Sequence, residues 1–367
     1  MALFKEHFSA AYVDNLIERL NYFAPNIQTK YLEQTQIIIE SLEMKDRVNN
    51  IADAIFTALE QPASPALAEN LTAMALGDNN YPALTGFDAW PIFSIFERHF
   101  INEFEAAMTA FYKLTHLFTA EFAIRPFIFH YPEPSFALFS HWSQDESEQI
   151  RRLSSEGIRP NLPWGGKIHY LNKNPKKIIA ILNRLKNDPS LYVRKSVANN
   201  FNDISKEHSQ IILDNFKKWQ ANRPTAQQQW IMKHALRSLI KQGDKQALAL
   251  VGVNVAGNIK AVKFSAAPKA ICLGQEIELS LELQNNDNHD NDVMVDYIIH
   301  HVKANGQTTP KVFKWKKFNL KAEQNVVLVK SHKILPITTR KYYAGKHGVQ
   351  ILVNGNILAD SHFELII

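Results

Sequence analysis

The sequence predicts a two-part chain, a stack of α-helical repeats followed by a small β-sandwich, and three observations carry that prediction. Glycine is almost absent early on: only Gly77 and Gly86 precede Gly157. A residue pattern recurs near the middle of the chain at an offset of 43. After Gly257 the apolar residues change from three- and four-residue spacing to strict alternation, the period of a half-buried strand. With 367 residues the chain is also too long for one ordinary hydrophobic core. The expected parts are 1–257, helical, and 258–367, all-β.

The helical part opens with Ala11 to Leu20 and continues with Val48 to Leu59, both spaced to bury one helix face. Gln61-Pro62-Ala63-Ser64-Pro65 and Tyr131-Pro132-Glu133-Pro134 separate helical stretches, since proline and its predecessor resist helix continuation. The repeat overlays Asp145-Glu-Ser-Glu-Gln-Ile150-Arg151-Arg152 on Asp188-Pro-Ser-Leu-Tyr-Val193-Arg194-Lys195. Asp-x-Ser starts a helix in each copy, and an apolar-basic-basic triplet follows inside it. That spacing suits HEAT-type helical pairs of about 40–47 residues, which stack so that one helix of each pair lines a common surface.

In the second part, Glu276 to Gln284 alternates, as do Val293, Val295, Tyr297 and Ile299. Lys311–Phe318, Val326–Ile334, Gly348–Val353 and Ile357–Leu365 follow, separated by Asn, Gly and Pro. About seven strands over this length fit an immunoglobulin-like sandwich, without the Cys–Trp–Cys pattern of antibody domains.

Charge is segregated. Residues 1–149 hold 8 basic and 20 acidic groups, residues 150–258 hold 19 and 6, and residues 259–367 hold 14 and 10. Within the last block, Lys303 to Lys346 holds 11 basic residues and one acid, Glu323. Two basic zones on an otherwise acidic chain suggest a polyanion-binding face; solvated helix faces are the plainer explanation. With Cys272 the single cysteine, an internal disulfide and a cysteine-based zinc site are excluded. The start, Met-Ala-Leu-Phe-Lys-Glu, lacks a signal-peptide core, and the longest charge-free run, Gln246 to Ile259, has 14 residues, short of the roughly 20 that span a bilayer. A soluble, cytoplasmic chain without membrane contact is expected. Pro163-Trp-Gly-Gly-Lys167 does not match a phosphate loop. The 14 histidines show no metal-ligand spacing, so neither metal nor organic cofactor is expected.

The densest chemistry lies in Gln149-Ile-Arg-Arg-Leu-Ser-Ser-Glu-Gly-Ile-Arg-Pro-Asn-Leu-Pro-Trp-Gly165. On a helix, Arg152 and Glu156 share a face, and Gly157 and Pro160 end that helix. Trp164 sits on a Pro-Trp-Gly-Gly loop. Glu156 is either a site carboxylate or a surface ion-pair partner, and Trp164 either a site aromatic or core. The repeat maps Arg152 to Lys195 and Glu156 to Asn199, while Lys195, Asn199 and Asp203 follow at four-residue steps on one helix face. One turn of a preceding helix offers Glu121 with Arg125 four residues on. Among Leu117, Phe118, Phe122 and Ile124, the Glu121 carboxylate either reaches solvent or needs a cationic partner.

Three stretches carry a resemblance: Ala120-Glu-Phe-Ala-Ile-Arg-Pro-Phe127, Arg151 to Gly165, and Tyr192-Val-Arg-Lys-Ser-Val-Ala-Asn-Asn-Phe-Asn-Asp-Ile-Ser-Lys206. Over about residues 1–250 the chain resembles the AlkC branch of the HEAT-like repeat DNA glycosylases, some of which also carry an immunoglobulin-like C-terminal domain. The resemblance implies excision of cationic alkylated bases, chiefly 3-methyladenine and 3-methylcytosine, from double-stranded DNA without deep base flipping. It implies Glu121, Glu156 and Asp203 as catalytic carboxylates and Trp164 as an aromatic wall. Arg152, Arg159, Arg194 and Lys195 become phosphate contacts, joined by Arg151, Lys167 and Asn199 as DNA-binding residues. Asn161 and Asn200 replace the basic residue and histidine more usual in the family, which would alter DNA contacts.

Competing readings are a protein-binding scaffold, with the acidic residues 1–149 as partner surface, and a DNA-binding relative without catalysis. The basic middle block favours DNA, bound by a monomer. In the C-terminal domain, Lys314, Lys316, Lys317, Arg340 and Lys341 are expected to grip phosphates and clamp the duplex. Trp315 is either a wedge or core.

Overall fold

Helix starts follow from short polar side chains. The Ser9 hydroxyl accepts from the Tyr12 amide, Ser64 from Leu67 and Ser190 from Tyr192, each satisfying one of the free donors of a first turn. The computed structural model describes residues 4–253, 257–338 and 340–367. Met1, Ala2, Leu3 and the residues just before the expected boundary, 254–256, lie outside the described residues. The chain forms two compact units, Met1–Glu207 and His208–Ile367.

In the first unit α1 (Ala10–Phe23), α2 (Lys30–Ile38), α3 (Met44–Ala58) and α4 (Pro65–Leu76) are followed by α5 (Trp90–His99), α6 (Phe104–Leu114), α7 (Arg125–His130) and α8 (Pro132–Trp142). Then come α9 (Glu148–Glu156), a small hairpin of β1 (Asn161–Leu162) and β2 (Gly166–Lys167), α10 (His169–Lys173), α11 (Pro175–Arg184) and α12 (Leu191–Ser205). Helix α3 packs on α5, α5 touches α7, and α9 packs on α12. The core is strongly aromatic: Phe93, Phe96, Phe100, Phe111 and Phe127 are all fully buried.

The 43-residue repeat is real down to its hydrogen bonds. Asp145 Oδ1 accepts from the Ser147 amide at 2.8 Å and Asp188 Oδ1 from the Ser190 amide at 2.9 Å. Arg151 Nη1 donates to the carbonyls of Asp145 and Glu146, and Arg194 Nη1 to those of Asp188 and Pro189. Arg151 also reaches into the next copy, its Nε 2.6 Å from Asp188 Oδ2. These arginines tie each repeat's entry turn to its helix and stitch one repeat to the next.

In the second unit, α13 (Ser209–Ala221), α14 (Ala226–Ala235), α15 (Arg237–Lys241) and α16 (Lys245–Leu250) precede the strands β3 (Ile259–Ala267), β4 (Ala270–Cys272), β5 (Glu276–Asn285), β6 (Asn291–Val302), β7 (Thr308–Leu320), β8 (Asn325–Lys333), β9 (Gly345–Val353) and β10 (Asn356–Ile366). One sheet runs β4-β10-β9-β6-β7 and the other β3-β5-β8. Their inner faces bury Leu279, Leu281, Val293, Val295, Val349, Ile351 and Phe363, the alternating positions of the sequence pattern. β3 escaped that pattern because a bulge between Ala261 and Lys263 breaks its alternation, and β4 is too short to show one.

The compact units divide at 207/208, so the last four helices cluster with the sandwich. One contact joining them is a backbone-to-backbone approach. Gly243 in the α15–α16 turn and Gly355 in the β9–β10 turn both have positive φ, and a Cβ on Gly243 would lie 2.7 Å from the Gly355 carbonyl oxygen. No side chain fits between them.

Candidate active site

Three carboxylates and two guanidiniums alternate along one line. Glu121 Oε2 lies 2.6 Å from Arg152 Nη1, Arg152 Nη2 lies 3.6 Å from Glu156 Oε1, Arg159 Nη1 lies 2.6 Å from that same oxygen, and Arg159 Nε donates to Asp203 Oδ2 at 2.9 Å. Lys206 ends the line, 3.2 Å from Asp203 Oδ1. All three acids are buried, Glu121 at 8%, Glu156 at 5% and Asp203 at 2% exposure. Such burial is tolerable only because each charge has a partner.

The elements explain the alignment. Glu156 closes α9, whose i,i+4 spacing brings Arg152 to it. Asp203 lies in the last turn of α12, packed on α9. Glu121 was expected inside a helix, with Arg125 four residues on and its carboxylate either at solvent or in need of a cation. It lies instead in the turn before α7, its Oε2 also accepting from the Thr119 hydroxyl at 2.9 Å, and its cation is Arg152. The Arg152 guanidinium further covers the Tyr192 ring of α12, 4.6 Å from its centroid. Burial works against the charge of Arg152, and Glu156 and Glu121 outweigh it, holding the group above its ordinary pKa. In Arg159 the burial is likewise outweighed by Glu156 and Asp203.

Arg125 has a different task. Its Nη1 donates to the carbonyls of Gly157 and Arg159 at 3.0 and 2.8 Å, its Nε to Gly165 at 3.1 Å and its Nη2 to Gly166 at 2.9 Å. One guanidinium therefore joins the end of α9 to the hairpin tip. Burial, then repulsion from Arg159, lowers its pKa to about 10 despite the neighbouring acids. At the tip, Trp164 adopts φ +63° and is 64% exposed, and its carbonyl accepts from the Lys45 ammonium. A large aromatic held in a left-handed backbone conformation and presented to solvent is costly on both counts.

The remaining expected residues separate into two groups. Lys167 and Lys195 are exposed and make no ion pair among the described residues; Asn199 is half-buried on α12. Arg151 and Arg194 were expected at phosphates but are engaged in the repeat turns, and Arg159 is 7% exposed and bound to two acids. Asn200 was expected to alter DNA contacts; it is fully buried, its amide donating to the Ser155 carbonyl at 2.8 Å, and ties α12 to α9. In the second unit Lys314, Lys316, Lys317 and Lys341 are exposed, but Arg340 turns inward, its Nη1 buried. Trp315 packs against the sandwich core. Among the described residues no helix is long and apolar enough to cross a membrane, and no group of three or more His, Cys, Asp or Glu is placed to hold a metal ion.

Fold and site together define a HEAT-like repeat protein with a C-terminal immunoglobulin-like domain. Residues 260–367 match the family model described as "Uncharacterised protein YhaZ, C-terminal Ig-like domain". The chain is 32% identical to the uncharacterized protein YhaZ of Bacillus subtilis (strain 168) over 100% of both. It is 34% identical to the Pseudomonas fluorescens alkylpurine DNA glycosylase AlkC, with a TM-score of 0.90 over 99% of both chains; that structure is bound to DNA containing an abasic site analog. The chain belongs to the AlkC family.

Proposed function

We propose that this protein is a monofunctional DNA glycosylase, acting as a monomer, that hydrolyses the N-glycosidic bond of cationic alkylated bases, 3-methyladenine and 3-methylcytosine, in double-stranded DNA. The alternating line from Glu121 to Asp203 carries the reading. Its likeness to AlkC over the whole chain supports it.

A base alkylated at N3 is already a cation, so it leaves without a general acid. The C1′–N bond breaks, both electrons pass to the ring and neutralise it, and the sugar remains as an oxocarbenium-like ion. Carboxylates fixed beside C1′ stabilise that ion without reorganising. Water then adds to C1′, and its proton passes to one of them. In the free protein the arginines hold these acids. Phosphates of a bound strand compete for Arg152, the more exposed of the two at 14% against 8% for its side chain, and release carboxylate oxygens toward the sugar. Trp164 supplies an aromatic face for the cationic base or sugar, a contact worth about 0.5–2 kcal/mol. Selection by leaving-group chemistry needs no deep pocket.

The sandwich clamps the duplex in this reading. β7 is an edge strand, paired only with β6, and Lys314, Lys316 and Lys317 are exposed on it. Edge lysines also guard against strand pairing between molecules, but 11 basic residues against one acid between Lys303 and Lys346 exceed that need. The test is release of free base from methylated duplexes carrying one defined lesion each. Release of 3-methyladenine and 3-methylcytosine is expected; salt-sensitive DNA binding without release of either would leave a non-catalytic DNA-binding protein.

A further inference from the structure

A cleft of about 430 Å³ lies in the first unit, on α3, α5 and α7, and shares Arg125 and the hairpin residues Gly165 and Lys167 with the acid site. Phe122, Phe129 and Tyr170 give it flat aromatic surface, and Phe129 is 67% exposed. Exposed aromatic rings beside a cleft are expensive to maintain unless something covers them.

Asn49 and Glu97 are among the polar groups that face the cleft. The Ser94 hydroxyl donates to Asn49 Oδ1 at 2.8 Å, which fixes the other end of that amide as a donor. Glu97 makes no ion pair among the described residues. Burial raises its pKa, more than Lys45, Arg98 and Arg125 lower it. An amide beside a carboxyl can pair with the edge of a neutral heterocycle. Lys45, Arg125 and Lys167 line the same cleft; they disfavour a cationic guest and favour one that carries phosphate.

We propose that this cleft is a nucleotide subsite, receiving the neutral base of the bound duplex that lies opposite the lesion and is left unpaired by it, with Phe122, Phe129 and Tyr170 against its ring and Lys45 and Lys167 toward its phosphate. The proposal rests on the DNA-binding reading, yet it concerns a base other than the one released. It gives the bound duplex a second anchoring point beside the acids, because base–aromatic stacking contributes to affinity at every base it engages.

The experiment uses the full chain and a duplex containing an abasic-site analogue opposite a photoreactive 4-thiothymine, the partner of an excised 3-methyladenine. Irradiation is expected to give adducts on Phe129, Tyr170 or their immediate neighbours. Tyr170→Ala and Glu97→Leu should weaken binding of the unmodified abasic duplex about 5- to 10-fold without changing its salt slope, and Tyr170→Phe should bind as wild type. Melting curves exclude loss of fold. Adducts that map outside the cleft, or Ala and Leu variants within 2-fold of wild type, overturn the subsite while leaving glycosylase activity standing. Failure of the wild-type chain to bind the duplex overturns the DNA reading and the subsite with it.

Discussion

At Glu156 two functions meet in one side chain. Its Oε1 accepts from Arg159 and faces Arg152, so it is both a proposed catalytic acid and the hub of a buried ion network. Glu156→Gln and Asp203→Asn are expected to slow base release by about 10-fold or more in single-turnover assays. Each also leaves a guanidinium short of its counter-charge, at a cost of about 3 kcal/mol in chemical unfolding. Release at wild-type rates from both variants would remove these carboxylates from the mechanism. Glu156 and Asp203 were legible in sequence because the Arg152 spacing and the repeat offset place them on helix faces, whereas Glu121 lies in a turn that carries no such period. Arg125 was not, since its four acceptors are backbone carbonyls 32 to 41 residues away, and no side-chain pattern marks a carbonyl. Arg151 and Arg194 illustrate a related point: a basic residue in a basic block looks free, and only the folded turn shows the carbonyls it holds.

The hairpin is the element on which Trp164 depends. Its two strands contribute one pair of residues each side of the turn, too little to hold a strained tip unaided. Arg125 supplies the missing rigidity. Arg125→Gln is therefore expected to lower base release several-fold in the wild-type background and to have little further effect in Trp164→Ala; additive losses in that double-mutant cycle would show that Arg125 does not act through the tryptophan. In the sandwich, the elements β6, β8 and β9 enclose histidines. Burial pushes His301 down to about 3 and His332 to about 4, with Arg340 and Lys311 adding repulsion to both, and burial also lowers His347. Unfolded histidines bind a proton near pH 6.5, so as pH falls from about 6.5 to 4 the unfolded chain gains protons that the folded sandwich refuses. Stability is flat in these groups above pH 7 and declines below it. Amide exchange in β6 and β9 should accelerate measurably between pH 6.5 and 5 beyond its intrinsic pH dependence; equal opening free energies at both pH values would contradict the assignment. The strands themselves were readable wherever alternation was clean. β3 was hidden by its bulge.

For the whole molecule, texture and packing gave different boundaries. Secondary structure changes near residue 257, but α13–α16 belong to the compact unit of the sandwich, and the Gly243–Gly355 approach shows why a cut there is not neutral. A chain ending at Asn258 is expected to lose DNA affinity by an order of magnitude at low salt, and also to expose the surface of α15–α16 that the β9–β10 turn covers. Protease sensitivity confined to residues 208–250 of the shortened chain would report the second effect separately. If that chain binds DNA as tightly as the intact one, the sandwich is no clamp. Lys195→Ala should in turn flatten the logarithmic salt dependence of binding by about one ion, whereas Arg151→Ala should change stability and leave the slope intact.

The line of alternating charges has a consequence for how two molecules first meet. Three carboxylates face Arg152, Arg159 and Lys206, so the site is electrically balanced before anything arrives. Bare, those acids would project a negative potential to about 8 Å at physiological salt, toward a polymer that is itself a dense line of negative charge. Paired, they are nearly invisible at that distance, and the long-range field is left to the exposed lysines. In the proposed DNA-binding reading, diffusional encounter is then governed by Lys167, Lys195 and the basic edge of the sandwich, and the acids enter the energetics only after contact.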